Sequence, residues 1–257
     1  MNTPEFSFPI SNVILLGAAD SGNPFPTIWI DDYEYFPVTI DTNQRMYTYQ
    51  PEGITDYFLI NLNIAHGDTF TINGIFLADN SFGITYHSLG VNGASVASFL
   101  RCENFERELP LLNPDLVIFN LGINDASGPD FNPEEFKNQY LKLAELFTKT
   151  NPQCAFIFVT NNDSYKRIKK GKYAVNKNGT IVKKTMYDLA SLTQGAVFDQ
   201  FEIMGGLSSM EKWRVNKLAQ YDRVHFTVAG YTLMGDLFFR AFMEAKTKCD
   251  NYNNNNY

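Results

Sequence analysis

The chain has 257 residues, 44% of them hydrophobic and 19% charged, which suits one large or two small packed domains and does not fit a disordered chain. A formal net charge of −7 argues against a general nucleic-acid surface, and no run approaches the about 20 apolar residues of a membrane span. Cys102, Cys154 and Cys249 are an odd set without metal-ligand spacing, which argues against a disulfide framework.

Residues 1–80 read as β. Candidate strands are Asn12–Leu16, Thr27–Ile30, Phe36–Ile40, Tyr57–Ile64 and Thr69–Leu77, short runs rich in Ile, Val, Phe, Tyr and Thr between Gly, Pro, Asn and Asp. Pro24, Pro26, Pro37 and Pro51 exclude long helices here. The pattern predicts a β-sandwich or jelly-roll-like module.

From Gly83 the pattern becomes strand–helix alternation over residues 81–248, followed by a low-complexity polar tail at 249–257 that is expected to fray. Ile84–Leu89 reads as a strand and Ala94–Leu109 as a helix. Asp115–Leu121 is a near-continuous apolar run, as in a buried parallel strand. Asn132 as N-cap, Pro133 at the first helical position, and Glu134 and Glu135 in the first turn then signal a helix. Its residues Phe136, Tyr140, Leu143 and Phe147 keep helical spacing. Ala155–Thr160 is the next strand, and Cys154 before it reads as a buried small hydrophobe. A lysine-rich stretch, Lys166–Lys184, reads either as a solvated loop and helix face or as a rim that attracts anionic substrate. Thr180–Thr193, Ser208–Leu218 and the segment capped by Thr227 are predicted helices, with a short strand at Ala196–Phe198. Alternating β and α implies a parallel sheet with helices on both faces and ligands at the carboxyl ends of its strands.

Three of those ends carry chemistry. Ser88-Leu-Gly-Val-Asn-Gly-Ala places Gly90 and Gly93 where a strand turns into a helix. That is either plain turn punctuation or a backbone N–H that can face an oxyanion. Leu121-Gly-Ile-Asn-Asp places Asn124 above a buried strand, either as an Asx-turn residue or as an amide aimed into the crevice. Asp222-Arg-Val-His225 precedes the last helix. With three-residue spacing the carboxylate can orient the imidazole as a general base, while a surface histidine near a helix start is the plainer alternative.

In this order and at these separations the three motifs resemble the SGNH (GDSL-type) hydrolase superfamily, over residues 83 to about 245. The resemblance implies a flavodoxin-like doubly wound parallel sheet and acyl transfer to serine followed by hydrolysis, with no metal or organic cofactor. Carried over by motif, Gly93 and Asn124 match the oxyanion donors, and Asp222 and His225 match two members of the catalytic triad. The wording Tyr86-His-Ser-Leu-Gly-Val-Asn-Gly-Ala after a β-rich segment is similar to a bacterial subgroup with an inserted carbohydrate-binding-like β domain. Several members of that subgroup remove O-acetyl groups from polysaccharides. The expected partner is therefore an acylated carbohydrate or other small ester, with no nucleic acid and no membrane span. Relatives in the subgroup are generally exported, so an extracytoplasmic location is expected, although Met1–Ser7 carry no basic region followed by an apolar core.

The sequence departs from the family in lacking Gly-Asp-Ser. Asn12-Val-Ile-Leu-Leu-Gly-Ala-Ala-Asp-Ser is the nearest match and offers Ser21 as a weak nucleophile candidate, but Asn23-Pro-Phe-Pro follows, where a helix should start. The preferred expectation is a serine block upstream of this chain. That leaves a central slot between the strands ending at Leu89 and Leu121, to be filled by Asn12–Leu16, by closure of the two strands, or by chain beyond this sequence. Two competing readings remain: a glycan-binding protein on a degenerate hydrolase scaffold, with Trp29, Tyr33 and Tyr35 stacking on sugars, and a plain structural α/β domain.

Overall fold

Short β-rich runs broken by proline and glycine cannot build helices, and the first part of the chain forms antiparallel sheet. Its strands are β1 (Asn12–Ala19), β2 (Thr27–Ile30), β3 (Tyr33–Tyr35), β4 (Thr39–Asp41), β5 (Met46–Tyr49), β6 (Leu59–Asn61) and β7 (Phe70–Ala78). The computed structural model describes residues 10–19, 25–43, 45–52, 57–62, 69–78 and 82–255. The chain divides into two units, Met1–Leu89 and Gly90–Tyr257.

In the first unit one sheet has the order β4-β5-β1-β7 and a second the order β3-β2-β6. Val13 and Leu15 of β1, Ile28 and Ile30 of β2 and Tyr49 of β5 share one core, so both sheets turn an apolar face to it. Tyr35 packs against that core, whereas Tyr33 is 71% exposed. Of the expected strand Phe36–Ile40 only Thr39 and Ile40 are strand, in β4, and the break falls at Pro37, which has no N–H to give a ladder. Ile84–Leu89 is not a strand: it has no ladder partner among the described residues, and Ile84 is 97% exposed. Nor does Asn12–Leu16 fill a slot in the parallel sheet, since β1 pairs antiparallel with β5 and β7.

The second unit runs α1 (Val96–Leu100), α2 (Phe105–Leu112), β8 (Leu116–Phe119), α3 (Pro133–Thr150), β9 (Ala155–Val159), β10 (Tyr165–Lys169), β11 (Lys172–Val175), α4 (Asn178–Thr193), β12 (Ala196–Phe198), α5 (Gln200–Ile203), α6 (Ser209–Val215) and α7 (Val228–Asn255). The single helix expected over Ala94–Leu109 is two, and Phe99 meets Phe105 edge-on across the break at 6.2 Å. α3 starts as its signals require: Asn132 Oδ1 accepts the N–H groups of Glu134 and Glu135 at 3.1 and 3.2 Å, a cap worth about 1 kcal/mol. α7 continues through the polar residues to Asn255.

β8, β9 and β12 pair in parallel in the order β12-β9-β8. Successive side chains of β9 alternate between two cores. Phe156 and Phe158 enter one with Phe119 of β8, Tyr140 and Phe147 of α3, and Met186 and Leu189 of α4. Ile157 and Val159 enter the other with Met204, Met210 and Met234 from the α5–α7 region. Helices therefore cover both faces of the sheet. Phe119 stacks on Phe156 and Phe158 at 5.6 and 5.3 Å, and Tyr140 meets it edge-on at 5.4 Å. Each fully buried side chain of this kind contributes about 1.5–3 kcal/mol. β8 pairs with β9 alone among the described residues and is the sheet edge. The fold is α/β, a parallel sheet wound with helices, after an antiparallel β module. No described helix is long and apolar enough to cross a membrane.

Candidate functional site

A parallel sheet gathers the carboxyl ends of its strands on one side, and the loops that leave them can share a crevice. After β8 the chain passes Gly122, whose φ of +124° suits glycine, and closes a short 3-10 turn at Asp125–Ser127. A Cβ on Gly122 would stand 2.9 Å from Phe136 Cζ and 3.0 Å from Asn161 Oδ1, so the close packing of this turn needs glycine as well. The turn leaves Asn124 exposed, and its Nδ2 donates to the Ala94 carbonyl at 2.8 Å. One N–H of that amide is thereby fixed, and the second has no protein partner among the described residues.

The same bond ties Asn124 to the glycine turn. Ala94 N–H closes that turn on Val91 O at 3.0 Å, and Gly93 sits within it at φ +79° with open space where a Cβ would be. Asp125 adds a second tie by accepting the Val96 N–H at 3.1 Å. Burial raises the Asp125 pKa, and this backbone bond opposes the rise. Asp125, which follows the asparagine in the motif, thus positions the start of α1 against the Asn124 turn. Gly90 also faces open space, but no bond to the Asn124 turn passes through it among the described residues.

The Asp222–His225 loop is closed at its base. Ala219 and Phe226 form an antiparallel bridge, Gln220 N–H donates to His225 O at 2.8 Å, and Gln220 Nε2 donates to Phe226 O at 3.0 Å. Thr227 donates from Oγ1 to Lys217 O at 2.8 Å and accepts the Gly230 N–H at 3.2 Å, which starts α7 directly behind the histidine. A Cβ on Gly230 would fall 2.0 Å from Leu218 O, so helix and loop touch backbone to backbone. Within the loop, Asp222 Oδ1 accepts the N–H groups of Val224 and His225 at 2.9 and 3.1 Å, and Oδ2 lies 2.7 Å from His225 Nδ1. Partial burial works to raise the Asp222 pKa, but the ring and backbone hydrogen bonds outweigh it and hold the carboxyl below its ordinary value. The ring is half exposed, with 54% of the His225 side chain open to solvent.

The residues after β9 join these loops. Asn162 Nδ2 donates to Val224 O at 2.9 Å and Tyr165 N–H to Arg223 O at 3.0 Å. Lys166 Nζ reaches Gly128 O at 3.1 Å, and Asn178 Nδ2 reaches Ala126 O at 3.0 Å and Gly128 O at 3.2 Å. One stretch of chain thus binds the histidine loop at one end and the asparagine turn at the other. Sequence reading passed over Asn161 and Asn162; the signal was a polar run, Thr160-Asn-Asn-Asp, directly after an apolar strand. It also passed over the β10–β11 hairpin, where charge hid an alternating pattern. Ser21 lies outside the described residues.

This geometry holds a hydrogen-bonded imidazole–carboxylate pair on one loop and an amide beside a glycine turn on another. Such a set can move a proton and stabilise developing negative charge.

The GDSL-like Lipase/Acylhydrolase family matches residues 75–233. Among solved structures, one titled "Peptidoglycan O-acetylesterase in action, 5 min" matches with a TM-score of 0.73 at 18% identity. The match covers 91% of this chain and 64% of that one, so this chain spans less than two thirds of its length. An acetyl xylan esterase, AlAXEase, matches with a TM-score of 0.46 at 19% identity, over 59% of this chain and 78% of that one. A lipase/acylhydrolase from Enterococcus faecalis matches with a TM-score of 0.44 at 19% identity, over 58% and 70%. No curated protein matches the sequence.

Proposed function

We propose that this chain, which belongs to the GDSL-like lipase/acylhydrolase family, serves a serine ester hydrolase that removes O-acetyl or other short acyl groups from a carbohydrate. The observation that carries the reading is the 2.7 Å contact between His225 Nδ1 and Asp222 Oδ2, made in a loop fastened to the carboxyl end of β9. In this reading Asp222 fixes the tautomer that leaves His225 Nε2 free to accept a proton. A serine hydroxyl gives up that proton as its oxygen attacks the acyl carbonyl. Gly93 N–H and the second N–H of Asn124 Nδ2 take the charge on the carbonyl oxygen. His225 then returns the proton to the leaving sugar oxygen, and water repeats the sequence to free the acid.

The carbohydrate assignment draws on the similarity to a structure titled peptidoglycan O-acetylesterase. The test is release of p-nitrophenol from p-nitrophenyl acetate, and of acetate from acetylated xylan and O-acetylated peptidoglycan, by the full-length protein and by its His225→Ala variant. Equal rates in the two proteins on every substrate would remove the reading.

A further inference from the structure

Within the lysine-rich stretch Lys177 and Lys184 belong to the start of α4, Lys166 is tied to Gly128 O, and Lys183 pairs with Glu202. Between them the β10–β11 hairpin turns at Gly171, with φ +74°, and exposes Arg167, Lys169, Lys170 and Lys172. None of these four belongs to an ion pair among the described residues.

Lys169 and Lys172 are also register partners across the hairpin. Like charges directly opposite each other weaken a two-stranded ladder. In a chain of net charge −7, unpaired cations at one tip gain most from an anion that comes from outside. Below the tip is a cleft of about 450 Å³ lined by Tyr165, Ile168, Gly171, Lys172, Tyr173, Glu211 and Arg223. Its lone carboxylate is already committed: Glu211 bonds Arg214 at 2.6 Å and Arg223 at 2.8 Å. Arg223 also covers the Tyr173 ring at 4.3 Å and lies between Asp222 and Val224 in the histidine loop. The cleft is therefore continuous with the candidate catalytic loop through one residue.

We infer that the β10–β11 hairpin and the cleft beneath it form a subsite for a carboxylate-bearing sugar of an acidic glycan. The lysines meet the carboxylate, and Tyr165 and Ile168 offer apolar surface to the ring. The cleft is open to solvent and narrow, which suits one sugar unit of a chain that passes over it, whereas a duplex calls for a broad basic surface. The inference deepens the ester-hydrolase reading and rests on it for placing the glycan beside His225.

The test is affinity electrophoresis of the full-length protein in gels containing polygalacturonate, dextran or duplex DNA, over a range of salt concentrations. Polygalacturonate should retard the protein, less so as salt rises, and dextran and DNA should not. Lys169→Gln/Lys170→Gln/Lys172→Gln should weaken that binding on the order of tenfold, and arginines at the same three positions should retain it. Equal binding by the glutamine variant, or equal retardation by DNA, would overturn the subsite. Glycan binding that follows the lysines in a protein with no esterase activity would sustain the subsite and remove the hydrolase reading instead.

Discussion

The Asn162 side-chain amide donates to the Val224 carbonyl at 2.9 Å, joining the carboxyl end of β9 to the loop that carries Asp222 and His225. Neighbours in space but 62 residues apart in the chain, they hold the imidazole in register with the sheet. Replacing Asn162 with Ala leaves the Val224 carbonyl without this donor. The expected result is a loss of about 1–2 kcal/mol in urea unfolding. Turnover should fall further than KM changes, because the loop and not the substrate is loosened. Unchanged kcat in a folded Asn162→Ala protein would dissociate the loop anchor from catalysis.

Asp222 orients the ring through the 2.7 Å contact at Nδ1. Asp222→Asn replaces an acceptor-only group with an amide and removes the preference for the Nδ1–H tautomer. The downfield ring N–H proton resonance expected of the parent should vanish, and esterase kcat should drop by about a thousandfold to ten-thousandfold. Retention of that resonance in the variant would show that another group holds the ring.

Asn124 has two amide hydrogens, one of them given to Ala94 O at 2.8 Å. Asn124→Ala removes the tie to the glycine turn and the free donor together. Esterase kcat should fall by about a hundredfold to a thousandfold, the usual range for losing one oxyanion donor. Asn124→Asp separates the two effects: a carboxylate cannot donate to Ala94 O and repels the oxyanion, so it should be at least as damaging. A faster Asp variant would contradict the donor role.

Gly122 combines a φ of +124° with a Cβ position 2.9 Å from Phe136 and 3.0 Å from Asn161. Gly122→Ala should destabilise the protein by about 1–3 kcal/mol through backbone strain and steric pressure on the β9 end. Chemical denaturation measures this directly. Gly128→Ala is the contrasting control, since its φ is −78° and its nearest Cβ neighbour is 3.9 Å away.

Hydrogen bonds from Arg214 and Arg223 lower the Glu211 pKa from 4.5 to about 2. A depressed carboxyl pKa adds stability above the unfolded value and loses it as pH falls through the folded one. The parent should therefore lose the Glu211 contribution between pH 4.5 and about 2. Glu211→Gln should lower the melting temperature at pH 7, with the gap to the parent narrowing across that window. The pair is partly exposed, so salt should also shrink the difference. A gap that stays constant from pH 7 to 2 would mean that packing, not charge, is lost.

Much of the fold was legible because its signals are local. The cap at Asn132, the apolar stripe of α3 and the runs of β2 and β12 are written in adjacent residues, and each formed where it was read. The Ile84–Leu89 strand was misread for the opposite reason. Its residues favour extended backbone, but a strand exists only where a partner accepts its ladder, and no described residue does. The β10–β11 hairpin was missed because the cations Arg167, Lys169, Lys170 and Lys172 outnumber Tyr165, Tyr173 and Val175, the apolar residues that share one face of it.

The sequence by itself determined the residue types of the candidate site and their order along the chain, since the glycine, asparagine and Asp-x-x-His motifs are short and contiguous. It also determined that the fold would alternate strand and helix. Only the tertiary structure decided that Asn124 spends one amide hydrogen on Ala94, that Asp125 secures α1, and that Asn162 and the hairpin bind the histidine loop. Those bonds link residues 29 to 62 positions apart. Local propensity does not encode such pairings; they are selected when packing the sheet brings its loop ends within reach of one another.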